Sequence, residues 1–208
     1  MGSGMNSVIE FFELSFIRYK LIDETEQMKK VIDKTLDFYK KNHDEILEEY
    51  NKEVKRFAEK EKTLRPYEYE RFYYEEDSMQ SFFEDQNSYV ELFYEEEIKL
   101  MIFLLAKTFE NNRTYCKRQI KDSYLEKYKK EIDNYFKDSL QKRLKELYLI
   151  YNCFKHNDDC VSEELAAAFS KYKLGKKITV TETDVYNYYN ILATELKDIY
   201  FKIEKLPH

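Results

Sequence analysis

Residues 98–106 read Ile-Lys-Leu-Met-Ile-Phe-Leu-Leu-Ala, the longest apolar run in the chain. Apolar side chains cover nearly every side of this segment when it is drawn as a helix, so we expect it to be the most buried part of the protein, in contact with helices on several faces. The run includes Lys99, follows the glutamates at 95–97, and is far shorter than the roughly 18 residues that a membrane span needs. It therefore predicts a core helix and no membrane segment.

The composition favours long helices throughout. The chain of 208 residues contains only 3 Gly and 2 Pro, while 37% of its residues are charged and 17% are aromatic. So few helix breakers leave little material for sheets joined by tight turns. We predict an all-α fold, an up-and-down bundle of long helices with short C-terminal helices and one short extended segment.

Apolar periodicity places the long helices around the core run. A first helix is predicted over 6–19 and a long amphipathic helix over about 23–63, ended by Arg65-Pro66 because proline disfavours helix at the preceding residue. The core run lies in a second long helix from Ser78, a good N-cap, to about Thr114. A third long helix is predicted from Ser123 to Asn152.

Shorter elements follow at the C-terminal end of the chain. The third helix is expected to break over 156–159, and Ser162 to cap a short helix. A turn over 173–177, an extended piece over 178–180 and a final helix over 184–206, capped by Thr181 or Thr183, complete the prediction.

The domain organisation is predicted to be simple. Residues 1–4 resemble a cloning remnant before Met5, and 5–208 are predicted to form a single domain, since no repeat or low-complexity linker is visible. Three cysteines without metal-ligand spacing indicate a reducing compartment, so we expect the protein to be cytoplasmic. No secretory signal is visible.

Charge restricts the partners that can be expected. The net charge of -6 argues against bulk electrostatic binding of nucleic acid, because phosphate affinity comes mainly from Lys and Arg. A nucleic-acid site must then be local. One basic cluster, Arg113, Lys117, Arg118 and Lys121, is either a solvated face or a phosphate site. The aromatic and acidic stretch 67–77 either covers the core or contacts a partner.

Several common catalytic signatures are absent from the sequence. It has no glycine-rich phosphate loop, GxSxG or HExxH motif, and no Cys/His zinc array. It also lacks the Glu-x-x-His pairs of di-metal carboxylate bundles. We therefore predict neither a cofactor nor a metal site.

The segment 151–159, Tyr-Asn-Cys-Phe-Lys-His-Asn-Asp-Asp, ends the third predicted helix and carries His156. A histidine at this position is either a helix C-terminal residue that interacts with the last carbonyls or a functional group. Together with 161–165, the 175–181 stretch Gly-Lys-Lys-Ile-Thr-Val-Thr and the last helix, this segment resembles the C-terminal part of HEPN-domain proteins. The resemblance covers about the last third of the chain, and the family signature, Arg-Asn-x-x-x-His, is short and degenerate.

The HEPN family is all-helical, common in prokaryotic conflict systems, and in its active members cleaves RNA without a metal ion. The resemblance implies a homodimer in which two copies of the motif face each other, and it carries Asn152 and His156 over as site residues. Tyr151 stands where the family has its arginine, and tyrosine cannot supply a fixed positive charge. Lys155 or Arg143 is then the candidate replacement for that charge.

Three functions follow from this sequence as alternatives. The first is a HEPN-like RNA-directed protein of antiviral defence or a toxin–antitoxin system, acting as an endoribonuclease; the second is a catalytically inactive HEPN-like binding or adapter module. The third is a helical protein-interaction protein unrelated to RNA that uses 67–77. The expected partners are a second copy, RNA and a protein of the same system. Candidate residues are His156, Asn152 and Lys155 for catalysis, and Arg113, Lys117, Arg118 and Arg143 for binding RNA or phosphate.

Overall fold

The all-α prediction is confirmed. The structure, a computed structural model, describes residues 14–121 and 123–207, and within these ranges it contains helices but no β-strand, only an isolated bridge between Cys160 and Lys177. The predicted remnant over 1–4 and most of the predicted first helix lie outside the described residues; 14–18 are helical. No helix in the described ranges has the length and apolar character needed to cross a membrane.

Six α-helices account for most of the described chain. A short π-helix, Tyr19–Asp23, leads into the first of them, and 3₁₀ turns at Pro66–Glu68 and Tyr124–Tyr128 precede the second and third. The helices are α1 (Glu24–Glu61), α2 (Tyr69–Gln119), α3 (Lys129–Gln141), α4 (Lys145–His156), α5 (Glu163–Ala168) and α6 (Glu182–Glu204).

Helix α2 begins nine residues before the predicted start. Pro66 lies between the end of α1 and the start of α2, as predicted. Ser78 is not an N-cap, because it lies inside α2 and its hydroxyl donates to the Tyr74 carbonyl at 2.8 Å. Proline in the turn that precedes the helix and Glu70 in its first turn both favour a start at Tyr69. The stretch 67–77 is therefore helical, with a 3₁₀ turn at its start and α2 from Tyr69 onward.

The single third helix predicted over 123–152 is wrong, because the chain turns at 142–144 and separates α3 from α4. At this turn the Leu144 amide donates to the Ser139 carbonyl, five residues back, at 2.9 Å. The wider turn leaves Leu144 completely buried. Ser123 does cap the preceding 3₁₀ turn, as its side chain accepts a hydrogen bond from the Leu125 amide at 3.1 Å.

The C-terminal elements match the prediction closely. Ser162 caps α5, and Thr181 rather than Thr183 caps α6, where it forms a reciprocal capping box with Asp184. Gly175 occupies the turn with a left-handed φ of 70°, which glycine adopts without steric cost. Residues 178–180, predicted to be extended, belong to neither a helix nor a strand.

Contacts group the chain into two compact units. One, the C-terminal unit, contains residues up to Ile32 and from Ile98 onward; the other, the hairpin unit, is Asp33–Glu97. Both long helices contribute to each unit. The single domain predicted over 5–208 stays a prediction, since contact grouping alone does not test independent folding.

The core of the C-terminal unit is formed by one face of α2 together with α4 and α6. In the run 98–106, Ile102, Leu105 and Ala106 are fully buried, but Leu100 is 54% exposed. The expectation that the run is covered on nearly every side is thus wrong. Helix α6 packs against the π-helix and α3, and α4 packs against α3 and α5. The buried side chains of α6 are Val185, Tyr188, Tyr189, Leu192, Glu195, Leu196, Ile199, Tyr200 and Ile203.

The hairpin unit is an antiparallel pair formed by the second half of α1 and the first half of α2. Aromatic rings join the two helices at three levels: Tyr39 with Tyr94 (6.2 Å between centroids), Tyr50 with Phe83 (5.4 Å) and Phe57 with Phe72 (5.5 Å). Edge-on aromatic contacts add to the stabilisation that burial provides.

The different burial of two residues of α2 gives a test of this core. We expect Ile102→Ala to lower the free energy of unfolding by about 2–5 kcal/mol, because it leaves a cavity. Leu100→Ala should change it by less than about 0.5 kcal/mol. Urea unfolding followed by circular dichroism measures both, and equal losses would contradict the assignment of the buried face.

Candidate functional site

The C-terminal end of α4 presents the sequence-predicted site residues to solvent. The helix buries Leu147, Leu149, Ile150, Tyr151 and Cys153, whereas Asn152, Lys155 and His156 are exposed. Asn152 and His156 are four residues apart and so lie on the same face of the helix. Within the described ranges, the side chains of these two residues form no hydrogen bond or ion pair, which leaves the amide and the imidazole available to a ligand.

Asn157 closes the helix through two hydrogen bonds. Its backbone N–H donates to the Cys153 carbonyl at 2.9 Å, and its side-chain nitrogen Nδ2 donates to the Cys160 carbonyl at 2.7 Å. Asp158 and Asp159 then take left-handed conformations, with φ of 46° and 61°, which aspartate tolerates better than most residues. The break predicted over 156–159 is therefore confirmed.

The turn after α4 is fastened to two other parts of the C-terminal unit. The Asp159 carboxylate pairs with the Lys99 ammonium of α2 at 2.6 Å, and both side chains are largely buried. The Asp159 carbonyl accepts a hydrogen bond from the Ile178 amide at 2.7 Å. These contacts fix the position of the C-terminal end of α4, where His156 lies.

Tyr151, at the position of the family arginine, is only 3% exposed. Its ring packs edge-on against Phe103 of α2, with 5.0 Å between centroids. Two ammonium groups lie over this ring, Lys107 Nζ at 5.5 Å from the centroid and Lys155 Nζ at 5.8 Å. The attraction between a cation and the ring face holds both amines at this end of α4.

Lys107 belongs to this site, although the sequence did not indicate it. Its ammonium donates to Glu110 at 2.6 Å, and this hydrogen bond raises the pKa of Lys107. It lies on another helix, 44 positions before Tyr151 along the chain, and no local motif connects the two. The only hint was its place directly after the apolar run 98–106.

This arrangement places a group that can transfer protons near two groups that can attract an anion. An imidazole exchanges protons near neutral pH, and ammonium groups attract the negative charge of a phosphate. The amide of Asn152 adds two donors and an acceptor on the same face as the imidazole.

Two residues of the predicted basic cluster, Arg113 and Lys117, contact the carboxylate of Asp133 together with Lys137. Arg113 donates to Asp133 at 2.7 and 2.9 Å, and Lys117 and Lys137 contact the same carboxylate at 2.9 and 3.0 Å. Burial raises the pKa of Asp133, but the hydrogen bonds from Lys117, Arg113 and Lys137 outweigh it and hold the pKa well below its usual range. Arg113, Lys117 and Lys137 share one anion, so this group of four side chains keeps a positive charge.

The other two predicted phosphate ligands lie elsewhere. Arg118 is exposed in the last turn of α2. Arg143 precedes α4 and pairs with the buried Glu195 of α6 at 2.9 Å. Because α4 has 12 residues and is about 18 Å long, Arg143 does not reach His156 of the same chain. Its contact instead neutralises the buried Glu195 carboxylate.

Comparison with protein-family models, curated proteins and solved structures found no significant match to this chain. The fold and the site define the class: an all-α protein with an exposed imidazole and two ammonium groups at one helix end. In the described ranges no cluster of three His, Cys, Asp or Glu side chains is placed to hold a metal ion. Cys116, Cys153 and Cys160 are free thiols.

The basic cluster gives a pH-dependent prediction. We expect Asp133→Asn to lower the free energy of unfolding by about 1 kcal/mol at pH 7, a modest effect because solvent screens its cationic partners. A pKa depressed in the folded state gives stability that is present above the usual carboxyl pKa and is lost as pH falls through the folded value. The difference between wild type and variant should therefore shrink below about pH 4.

Urea unfolding at several pH values measures this difference. Asp138→Asn on the same helix is the matched control, because Asp138 is exposed and, among the residues that the structure describes, pairs with one cation, Lys142, at 3.2 Å. An equal loss in both variants would mean that the cluster around Asp133 adds nothing beyond an ordinary surface pair.

Proposed function

We propose that this chain is a HEPN-like, RNA-directed protein of a prokaryotic defence or toxin system. In this proposal it acts in the cytoplasm as a homodimer, alongside a protein of the same system, and cleaves RNA without a metal ion. The observation that carries the proposal is that Asn152 and His156 share one exposed helix face beside the two ammonium groups held on Tyr151.

The proposed chemistry is an internal transfer within the RNA chain. The imidazole of His156 removes the proton of a ribose 2'-hydroxyl, and the 2'-oxygen attacks the adjacent phosphorus. A 2',3'-cyclic phosphate forms while the bond between phosphorus and the 5'-oxygen breaks. The 5'-oxygen takes a proton from the second His156 of the dimer, so that the two imidazoles act as base and acid.

Lys155 and Lys107 supply the positive charge in this scheme. Negative charge grows on the phosphate oxygens as the 2'-oxygen attacks, and nearby cations stabilise it. In the family that the sequence resembles, an arginine serves this purpose. Here the same position holds Tyr151, and the ammonium groups of Lys107 and Lys155 lie over its ring. In this scheme the two lysines supply the positive charge that an arginine supplies in the family.

Burial of Tyr151 favours the inactive binding or adapter module as a second candidate. The residue before Asn152 points into the core rather than toward a ligand. An ammonium group is also more strongly hydrated and less rigidly oriented than a guanidinium group. In this second candidate the site binds RNA but leaves it intact.

A cleavage assay on the full chain tests the first candidate. We expect a labelled single-stranded RNA to be cut in the presence of EDTA, and the same sequence made of DNA to stay intact because it lacks the 2'-hydroxyl. His156→Ala should slow cleavage about 10²–10⁴-fold, the usual contribution of a general acid or base. RNA binding, measured by fluorescence anisotropy, should change little.

The two lysines are tested in the same assays. We expect Lys107→Ala/Lys155→Ala to weaken RNA binding and to reduce its dependence on salt, because fewer counterions are released. Lys130→Ala, an exposed residue of α3, is the control and should alter neither. Binding without cleavage would support the inactive module, and no binding at all would contradict both candidates. A monomer in sedimentation at the assay concentration would contradict the proposed dimer.

A further inference from the structure

The segment between α5 and α6 lies in the longest stretch of the sequence without an acidic residue. Residues 165–181 contain no Asp or Glu, although the whole chain has 41 of them. The same stretch contains four exposed lysines: Lys171, Lys173, Lys176 and Lys177. We call residues 171–177 the lysine loop.

Backbone hydrogen bonds fasten the lysine loop to the turn that follows α4. The backbone N–H of Val161 donates to the Lys176 carbonyl at 2.8 Å, and that of Gly175 donates to the Val161 carbonyl at 3.0 Å. The backbone N–H of Ile178 donates to the Asp159 carbonyl at 2.7 Å. Val161 and Ile178 are only 2% and 4% exposed, so the core anchors both sides of this pairing.

The pairing places the lysine loop close to His156. The backbone N–H of Cys160 donates to the Asn157 carbonyl at 2.8 Å, which closes a turn, and Cys160 faces Lys177 in an antiparallel bridge. One step along the chain, the width of this turn and the width of the bridge together put the Cα atoms of His156 and Lys177 within about 16 Å of each other. A strand of a few nucleotides can therefore contact both.

Two lysines of the loop have free ammonium groups. Lys171 pairs with Glu146 at 2.6 Å. In the part of the chain that the structure describes, Lys173 and Lys176 form no ion pair. The backbone N–H of Lys176 donates to the Lys173 carbonyl at 3.1 Å, so both lysines belong to one closed turn. A ligand that binds this turn meets two cations at fixed backbone positions.

Acidic side chains on the neighbouring segment limit the range of this positive charge. Asp158, Glu163 and Glu164 are exposed, whereas Asp159 is neutralised by Lys99. The charges at this end of the C-terminal unit are therefore nearly balanced, and an anion must contact the lysines directly to gain from them. A chain of regularly spaced phosphates can do this while it also occupies the His156 face, which a single small anion cannot.

We propose that Lys173 and Lys176 bind phosphates of an RNA strand that flank the phosphate at His156. The inference rests on the proposed function, because it takes RNA to be the ligand of the Asn152 and His156 face. It holds both for the cleaving protein and for the inactive binding module. Its consequence is that the protein prefers an RNA strand long enough to span the imidazole and the lysine loop.

The test measures the binding of a labelled twenty-nucleotide single-stranded RNA to the full chain by fluorescence anisotropy. We expect Lys173→Ala/Lys176→Ala to weaken binding about tenfold and to lower the slope of log K against log salt by about 1.4, because two phosphate contacts are lost. Lys173→Arg/Lys176→Arg keeps the charge and should retain the affinity. Where the chain cleaves RNA, the ratio of kcat/KM for this RNA to kcat/KM for a dinucleotide should fall by a similar factor.

Two matched variants separate the lysine loop from the charge of the whole chain. Lys197→Ala/Lys205→Ala removes the same charge from exposed residues in and just after α6. Lys197 is close along α6 to Glu195, which pairs with Arg143 at the opposite end of α4 from His156, so affinity should stay within about twofold. Glu163→Gln/Glu164→Gln should instead strengthen binding, because it removes like charge beside the phosphates.

A local signal shows whether RNA reaches the loop itself. The chain has 3 glycines, of which Gly175 alone lies in the lysine loop. In protein labelled with ¹⁵N-glycine, RNA should shift the Gly175 resonance, which Gly175→Ala identifies by its loss. This measurement uses the wild-type chain, and circular dichroism confirms that each variant is folded.

The outcomes distinguish this inference from the proposed function. RNA binding that Lys173→Ala/Lys176→Ala leaves unchanged, or an unmoved Gly175 resonance, would overturn the inference alone. Equal weakening by Lys197→Ala/Lys205→Ala would show that only net charge matters. Binding of polyglutamate as tightly as RNA would identify an acidic polypeptide as the occupant. A wild-type chain that binds no RNA would contradict both proposals, whereas loop-dependent binding without cleavage would support this inference and the inactive module.

Discussion

The buried face of α2 is the constraint on which the C-terminal unit depends. Because Ile102, Leu105 and Ala106 are buried in the core, the rotation of α2 about its axis is fixed. The direction of the adjacent side of the helix is then fixed as well. Lys99, Phe103 and Lys107 follow one another at intervals of four residues and so share that side. Lys99 holds the turn after α4, and the other two contact Tyr151. The core therefore also sets the geometry around His156.

The sequence predicted those parts of the fold that depend on neighbouring residues. Periodicity identified the long helices, and Pro66, Ser162 and Thr181 marked boundaries through local backbone chemistry. The turn at 142–144 was missed because it contains neither glycine nor proline. It is associated with tertiary contacts, the burial of Leu144 and the pairing of Arg143 with Glu195, which a local pattern does not contain.

The candidate site divides in the same way. Asn152, Lys155 and His156 belong to one helix end and could be found together from their spacing, whereas Lys107 comes from a different helix.

The net charge of the whole chain was misleading for a related reason. Residues 33–97 contain 20 acidic and 10 basic residues, and the rest of the chain has 25 basic and 21 acidic ones. An overall charge of -6 averages over this difference and hides a C-terminal unit that is better suited to an anionic ligand.

Tyr151 explains why the positive charge at this site takes the form of lysines. Its ring is buried against Phe103, so its position in the helix is occupied by a packing residue rather than a charged one. An arginine there would have to place a third cation beside two ammonium groups in a position that is 3% exposed. Like charges so close, with little water between them, are unfavourable. A positive charge at this end of α4 can therefore come from two lysines placed over a buried tyrosine ring, or from a single arginine at position 151. Because the cations would repel one another, the presence of one arrangement disfavours the other.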